Sequence, residues 1–130
     1  MKNKLNFIII LLTVLTNFAS AQIDSRLVKN NKVYLHPLDK RNTEKIKNHV
    51  KAWGYWQVVD NRNEADFVLK FNCESALVGD KTGYAEFIDP KTNEIFETTE
   101  PCNTVFTLSG SKYSLAKKLI RKRIKPQLES

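Results

Sequence analysis

The sequence predicts an α+β fold: one small domain in β-α-β-β-β-α order, with two helices packed on one face of a mixed, mostly antiparallel sheet. Three observations carry this. The stretch Ala65 to Ser75 alternates with period two, setting Ala65, Phe67, Leu69, Phe71 and Cys73 on one side and Asp66, Lys70, Asn72 and Glu74 on the other. Two segments, one beginning near Asn42 and one near Ser111, repeat apolar residues at helical spacing. Two short β-rich runs flank Asp89-Pro90-Lys91-Thr92-Asn93, a turn-forming sequence.

The chain has 130 residues, and its first 21 are set apart. Lys2 and Lys4 precede an apolar run from Leu5 to Leu15, and Phe18 leads into Ala19-Ser20-Ala21, the small residues a signal peptidase requires. The apolar run is shorter than the ~20 residues that span a bilayer, so the expectation is a cleaved leader rather than an anchor. Residues 22–130 then form one domain, periplasmic or secreted and not an integral membrane protein after cleavage. Of the net charge of +7, five units remain once Lys2 and Lys4 are removed.

Along the mature part, Lys32 to Leu38 reads as a first strand halted by Pro37. Asn42 or Thr43 then caps a helix with Ile46, Val50 and Trp53 on its apolar stripe, and Gly54 closes it in the left-handed conformation. Tyr55 to Val59 is briefly extended, and Asp60 to Asn63 turns into the alternating strand. After a loop holding Gly79 and Gly83, Tyr84 to Ile88 and Glu94 to Thr99 form the hairpin. Pro90 presets its own φ and Asn93 tolerates positive φ. Thr104 to Leu108 adds an edge strand. Ser109 or Ser111 caps a basic C-terminal helix, 111–125, with Leu115, Ala116, Leu119, Ile120 and Ile124 as its stripe and Pro126 as its end.

Ala52-Trp53-Gly54-Tyr55 at a helix end, Glu64-Ala65-Asp66-Phe67-Val68-Leu69 opening a strand, and the hairpin Ile88-Asp89-Pro90-Lys91-Thr92-Asn93-Glu94-Ile95 together resemble small bacterial envelope domains. These are the N-terminal domain of the Tol-system translocation protein, the curli-secretion pore lipoprotein, the lipoprotein activators of penicillin-binding proteins and related lipoproteins of unknown function. The likeness covers roughly Val33 to Ile124. Asn93 stands where such hairpins usually have glycine, and the lipidated cysteine of many relatives is missing. The resemblance implies a protein-interaction module and brings no catalytic residue with it.

The candidate chemistry is sparse. Cys73 and Cys102 are the only cysteines, and in an exported chain the expectation is one disulfide between them, closing a loop of about 29 residues and worth roughly 3 kcal/mol. The alternative is a reactive thiol, for which no neighbouring Cys or His speaks. His36 and His49 belong to different elements and lack ligand spacing, so no metal is expected, and no cofactor-binding or hydrolase motif occurs. Asp89, Glu94, Glu97 and Glu100 gather around the hairpin, a weak cation site or the solvated side of an edge strand. Tyr55 and Trp56 are candidate partner contacts, since one of two alternating aromatics faces outward.

Between Lys112 and Lys125 stand seven basic residues and no acid. Of these, Lys117, Lys118, Arg121, Lys122 and Lys125 form a candidate anion-binding face for lipid head groups, a polyanion or an acidic protein. Nucleic acid is not expected as a partner of an exported chain. The leading expectation is therefore a non-enzymatic envelope or secreted module that docks another protein on a strand edge or around Trp56. The alternatives are an accessory protein acting on an anionic surface through the basic helix, and a small thiol or hydrolytic enzyme.

Overall fold

The structure, a computed structural model, describes residues 23–75, 81–104 and 112–129. The leader, the Ser109 or Ser111 cap, Gly79 and residues 105–108 of the expected last strand lie outside them. The described residues form the expected α+β domain, with two helical segments against a six-stranded mixed sheet. The strands are β1 (Lys32–Leu35), β2 (Gln57–Val59), β3 (Phe67–Ser75), β4 (Lys81–Ile88), β5 (Ile95–Thr98) and β6 (Cys102–Thr104). The order is β2-β1-β3-β4, and both β5 and β6 border β4 on its other side. β1 runs parallel to β2 and to β3, and β4 runs antiparallel to β3, β5 and β6.

Helix α1 (Lys40–Trp53) crosses between β1 and β2. It starts earlier than Asn42 or Thr43, because Asp39 is the cap and accepts from the Arg41 and Asn42 backbone N–H groups at 3.1 and 2.8 Å. Those backbone donors, with the Asn42 amide, hold the Asp39 carboxyl below the usual carboxylate range. Asn42 and Thr43 support the cap instead of forming it. The Asn42 amide donates to Asp39, and the Thr43 hydroxyl joins the Asp39 carbonyl to the Leu38 N–H. At the other end Gly54 adopts φ 72° and donates its N–H to the Val50 carbonyl.

The core follows from strand alternation. Val33 and Leu35 of β1 lie beside Phe67 and Leu69 of β3, and Leu69 and Phe71 lie beside Phe87 and Ala85 of β4. All are buried against Ile46 and Val50 of α1 and against the C-terminal helical segment. β4 begins at Lys81, so Gly83 lies inside the strand and not in a loop. A Cβ at Gly83 would stand 2.3 Å from the Asn72 carbonyl oxygen and 2.8 Å from Leu115 Cδ2, so only glycine lets the last helix pack this close.

That helix has three parts: α2 (Lys112–Leu119), a π-helical turn (Ile120–Ile124) and α3 (Lys125–Glu129). The π turn has a reason in the sequence. In an unbroken α-helix Arg123 follows Leu119 by four residues and falls at the middle of the apolar stripe, while Ile124 is left at its border. The extra residue of a π turn reverses this: Ile124 is buried and Arg123 is exposed. The helix continues through Pro126 instead of ending there. The wider turn, in which the Lys125 N–H bonds the Ile120 carbonyl, makes room for a ring that would clash in a regular helix. Among the described residues no helix is long and apolar enough to cross a membrane.

Candidate functional site

The outer border of β4 is one long edge interrupted by two bulges, the first at Phe96, which is skipped where Phe87 pairs with Glu97 and Ile88 with Ile95. The Thr99 N–H bonds the Ala85 carbonyl at 3.0 Å, and Cys102 pairs with Gly83, so Glu100 and Pro101 add one residue relative to β4. Backbone groups alternate in direction along a strand. With Glu94 bonded to Asp89 and Thr99 to Ala85, the neighbouring residues Ile95 and Thr98, across from Ile88 and Glu86, point their N–H and C=O groups away from the sheet. With Cys102 facing β4, Pro101 and Asn103 do the same in the lower half.

The two halves differ in what meets those groups. In the lower half, Arg123 Nη2 donates to the Pro101 carbonyl at 3.0 Å and Lys118 Nζ donates to the Asn103 carbonyl. Pro101 has no N–H to offer. This half is closed to a further strand. In the upper half, no hydrogen bond among the described residues reaches the outward backbone of Ile95 or Thr98, and Ile95 is 53% exposed. At the opposite border, three-residue β2 presents only Val58 outward, because Gln57 donates to the Asn31 carbonyl and so faces β1. Among the described residues the open edge is β5.

The hairpin that delivers β5 is rigid. Asp89 Oδ1 accepts from the Lys91 and Thr92 N–H groups at 2.8 and 3.1 Å, and Asn93 takes φ 62°. These donors, followed by Arg26, hold the Asp89 carboxyl below its usual range. Arg26 stands 3.2 Å from Asp89, grips Asp24 at 2.8 Å and lies 3.6 Å above the Phe96 ring. The N-terminal 3-10 turn Ser25–Leu27 is thereby clamped to the base of β5. A groove of about 350 Å³ between the hairpin and Asn63–Asp66 holds Asp66 and Asp89. Asp66 already accepts from the Lys32 N–H at 2.8 Å, so these acids are turn residues. Among the described residues no group of three His, Cys, Asp or Glu is placed to hold a metal ion.

The basic residues grouped in the sequence separate in space. Lys117 lies over Tyr113, and Lys125 lies over Trp53 of α1, at 6.0 and 5.3 Å from the ring centroids. Lys118 turns the other way, to β6, and Arg121 and Lys122 are exposed. A groove of about 370 Å³ forms between β6 and the helix, with Lys118, Lys122 and Arg123 on one wall. Arg123 joins the site only because of the π turn. The signal for it was present as a charge at an apolar-stripe position.

Two expectations are corrected. Cys73 and Cys102 both lie opposite Gly83, one on each side of β4, so two strand spacings of about 4.8 Å separate their backbones. A disulfide needs Cα atoms within about 7 Å, and the two sulfurs are not joined. Trp56 is no partner contact. It is 3% exposed, packs edge-on to Phe67 and donates its indole N–H to the Leu27 carbonyl at 2.9 Å. Tyr55 is half-buried and stacks on Trp53 at 4.9 Å.

No protein-family model matches the chain, and no curated protein matches it. Its fold is similar in outline to several solved structures. The LpoB C-terminal domain from Salmonella enterica is 14% identical, with 66% of this chain and 89% of that chain covered and a TM-score of 0.47. A PelC dodecamer from Paraburkholderia phytofirmans is 20% identical, with 80% and 91% covered and a TM-score of 0.44. The uncharacterized lipoprotein B from Nitrosomonas europaea is 12% identical, with 78% and 77% covered and a TM-score of 0.46. At this identity no residue's role passes from them to this chain.

Proposed function

We propose that the chain is exported and acts as a non-enzymatic envelope or secreted interaction module, engaging another protein along β5. The leader pattern of Lys2, Lys4, the apolar run and Ala19-Ser20-Ala21 supports export. The observation that carries the docking role is the asymmetry of the outer edge. Its lower half is closed by Arg123 and Lys118, while its upper half, among the described residues, keeps the outward backbone of Ile95 and Thr98 open and the Ile95 side chain exposed. Added strands use such backbone groups for affinity and neighbouring side chains for specificity.

A second reading, an anionic partner at the helix, is favoured by the exposed Lys117, Arg121 and Lys122. One experiment separates the two. Residues 22–130 carrying a photoreactive amino acid at Thr98 or at Lys122 are irradiated in the native envelope at low and high salt. The first reading expects a discrete protein adduct from Thr98 at both salt concentrations. Adducts from Lys122 alone that vanish at high salt favour the second, and adducts from neither position overturn both.

A further inference from the structure

We propose that the occupant of the β5 edge is an extended, basic segment of a partner protein. This rests on the docking role given above and adds the chemistry of the partner. From Glu94 to Glu100 the chain reads Glu-Ile-Phe-Glu-Thr-Thr-Glu, three acids and no base. Glu97 pairs with Phe87 and Glu94 closes the turn with Asp89, so both lie on the face that carries Phe87, and Glu100 follows at the second bulge, so an added strand meets negative charge along the whole length of β5. Glu94 and Glu100 are exposed and Glu97 is half-buried.

That pattern selects among occupants. A second copy pairing β5 with β5 in antiparallel fashion brings glutamates of one chain beside glutamates of the other, and like charges facing across strands destabilise the pair. The acids therefore protect the edge from self-association, the ordinary hazard of an open strand. The same acids attract lysine and arginine. Phe96 already shows how a guanidinium is accommodated here, since Arg26 lies flat 3.6 Å above its ring while bonded to Asp24 and Asp89. Exposed Ile95 supplies an apolar contact next to the charges. The closed half below reinforces the choice, because Lys118, Lys122 and Arg123 at β6 repel a basic strand that slides downward and so fix its register on β5.

The test uses mature 15N-labelled protein and two capped ten-residue peptides, one alternating valine with lysine and one alternating valine with glutamate. Amide hydrogen exchange is followed residue by residue. The lysine peptide is expected to slow exchange at Ile95 and Thr98 at least about tenfold while Val58, on the far edge, is unchanged; the glutamate peptide is expected to do neither. Reversing Glu94, Glu97 and Glu100 to Lys together should exchange the two peptides' behaviour, and these surface substitutions leave the core untouched. Thr98→Pro should remove protection by withdrawing the outward N–H. Equal protection by both peptides, protection at Val58, or none at millimolar lysine peptide overturns the proposal. If the Thr98 photo-adduct persists while the lysine peptide fails, the interaction role stands and the basic partner falls; if both fail, both fall.

Discussion

His49 shows how one side chain's surroundings set a measurable property. It projects from α1 toward α2, with its ring edge-on to Tyr113 at 6.3 Å, and its Nε2 is buried without a hydrogen-bond partner among the described residues. Burial, then Lys125 and Lys117, lowers its pKa from the ordinary 6.5. The unfolded chain thus binds this proton more readily than the folded one. The stabilising contribution is complete above about pH 6.5 and is lost as the pH falls through the folded pKa. Urea midpoints measured at pH 7.5 and pH 5 should fall in the wild type and fall less in His49→Gln. The remainder belongs to His36, whose pKa is lowered by burial and then by Lys70 and Arg62. An unchanged fall in His49→Gln would remove His49 from the account.

At the scale of the element, the π turn tests the packing argument. If it exists to carry Arg123 past the core, deleting Lys122 lets the segment run as a plain α-helix with Ile124 four places after Leu119, still on the stripe. The deletion combined with Pro126→Ala, which removes the ring a plain helix cannot hold, should change stability by no more than about 1 kcal/mol, whereas Ile124→Ala, emptying a site 2% exposed, should cost about 2–4 kcal/mol. Both are read from urea denaturation. A deletion as damaging as the alanine would show that the turn has another role. The hairpin is the opposite case. Asp89 and Asn93 meet the turn's needs within five residues, so its geometry was legible without the rest of the chain.

Across the whole molecule, the sheet order decides which residues meet. β4 stands between β3 and β6, and Gly83 stands between Cys73 and Cys102. Peptide mapping of unreduced mature protein should therefore yield no fragment joining Cys73 to Cys102, and a high yield of that fragment would require a different strand order. The same order puts β5 and β6 on one border and lets the C-terminal helix close only the lower part. The clamp of Arg26 on Asp24, Asp89 and Phe96 likewise ties the first described turn to the hairpin, about sixty residues away in the chain. The edge proposed for docking is a product of this arrangement and not of any single segment.

By itself the sequence determined the α+β class, the inward row of Phe67, Leu69 and Phe71, the left-handed close of α1 at Gly54 and the Asp89–Asn93 turn. Each follows from periodicity or backbone preference within about ten residues, where a side chain and the conformation it favours lie close together. Only the tertiary structure decided that Cys73 and Cys102 flank a third strand, that Trp56 is core, that Lys117, Lys118 and Lys125 point to different neighbours, and that, among the described residues, β5 stays open while β6 is closed. These depend on contacts between distant parts of the chain. A lysine that reaches a tyrosine, a tryptophan or a backbone carbonyl looks the same in the sequence, and a strand's own residues do not say which of its two edges will be paired.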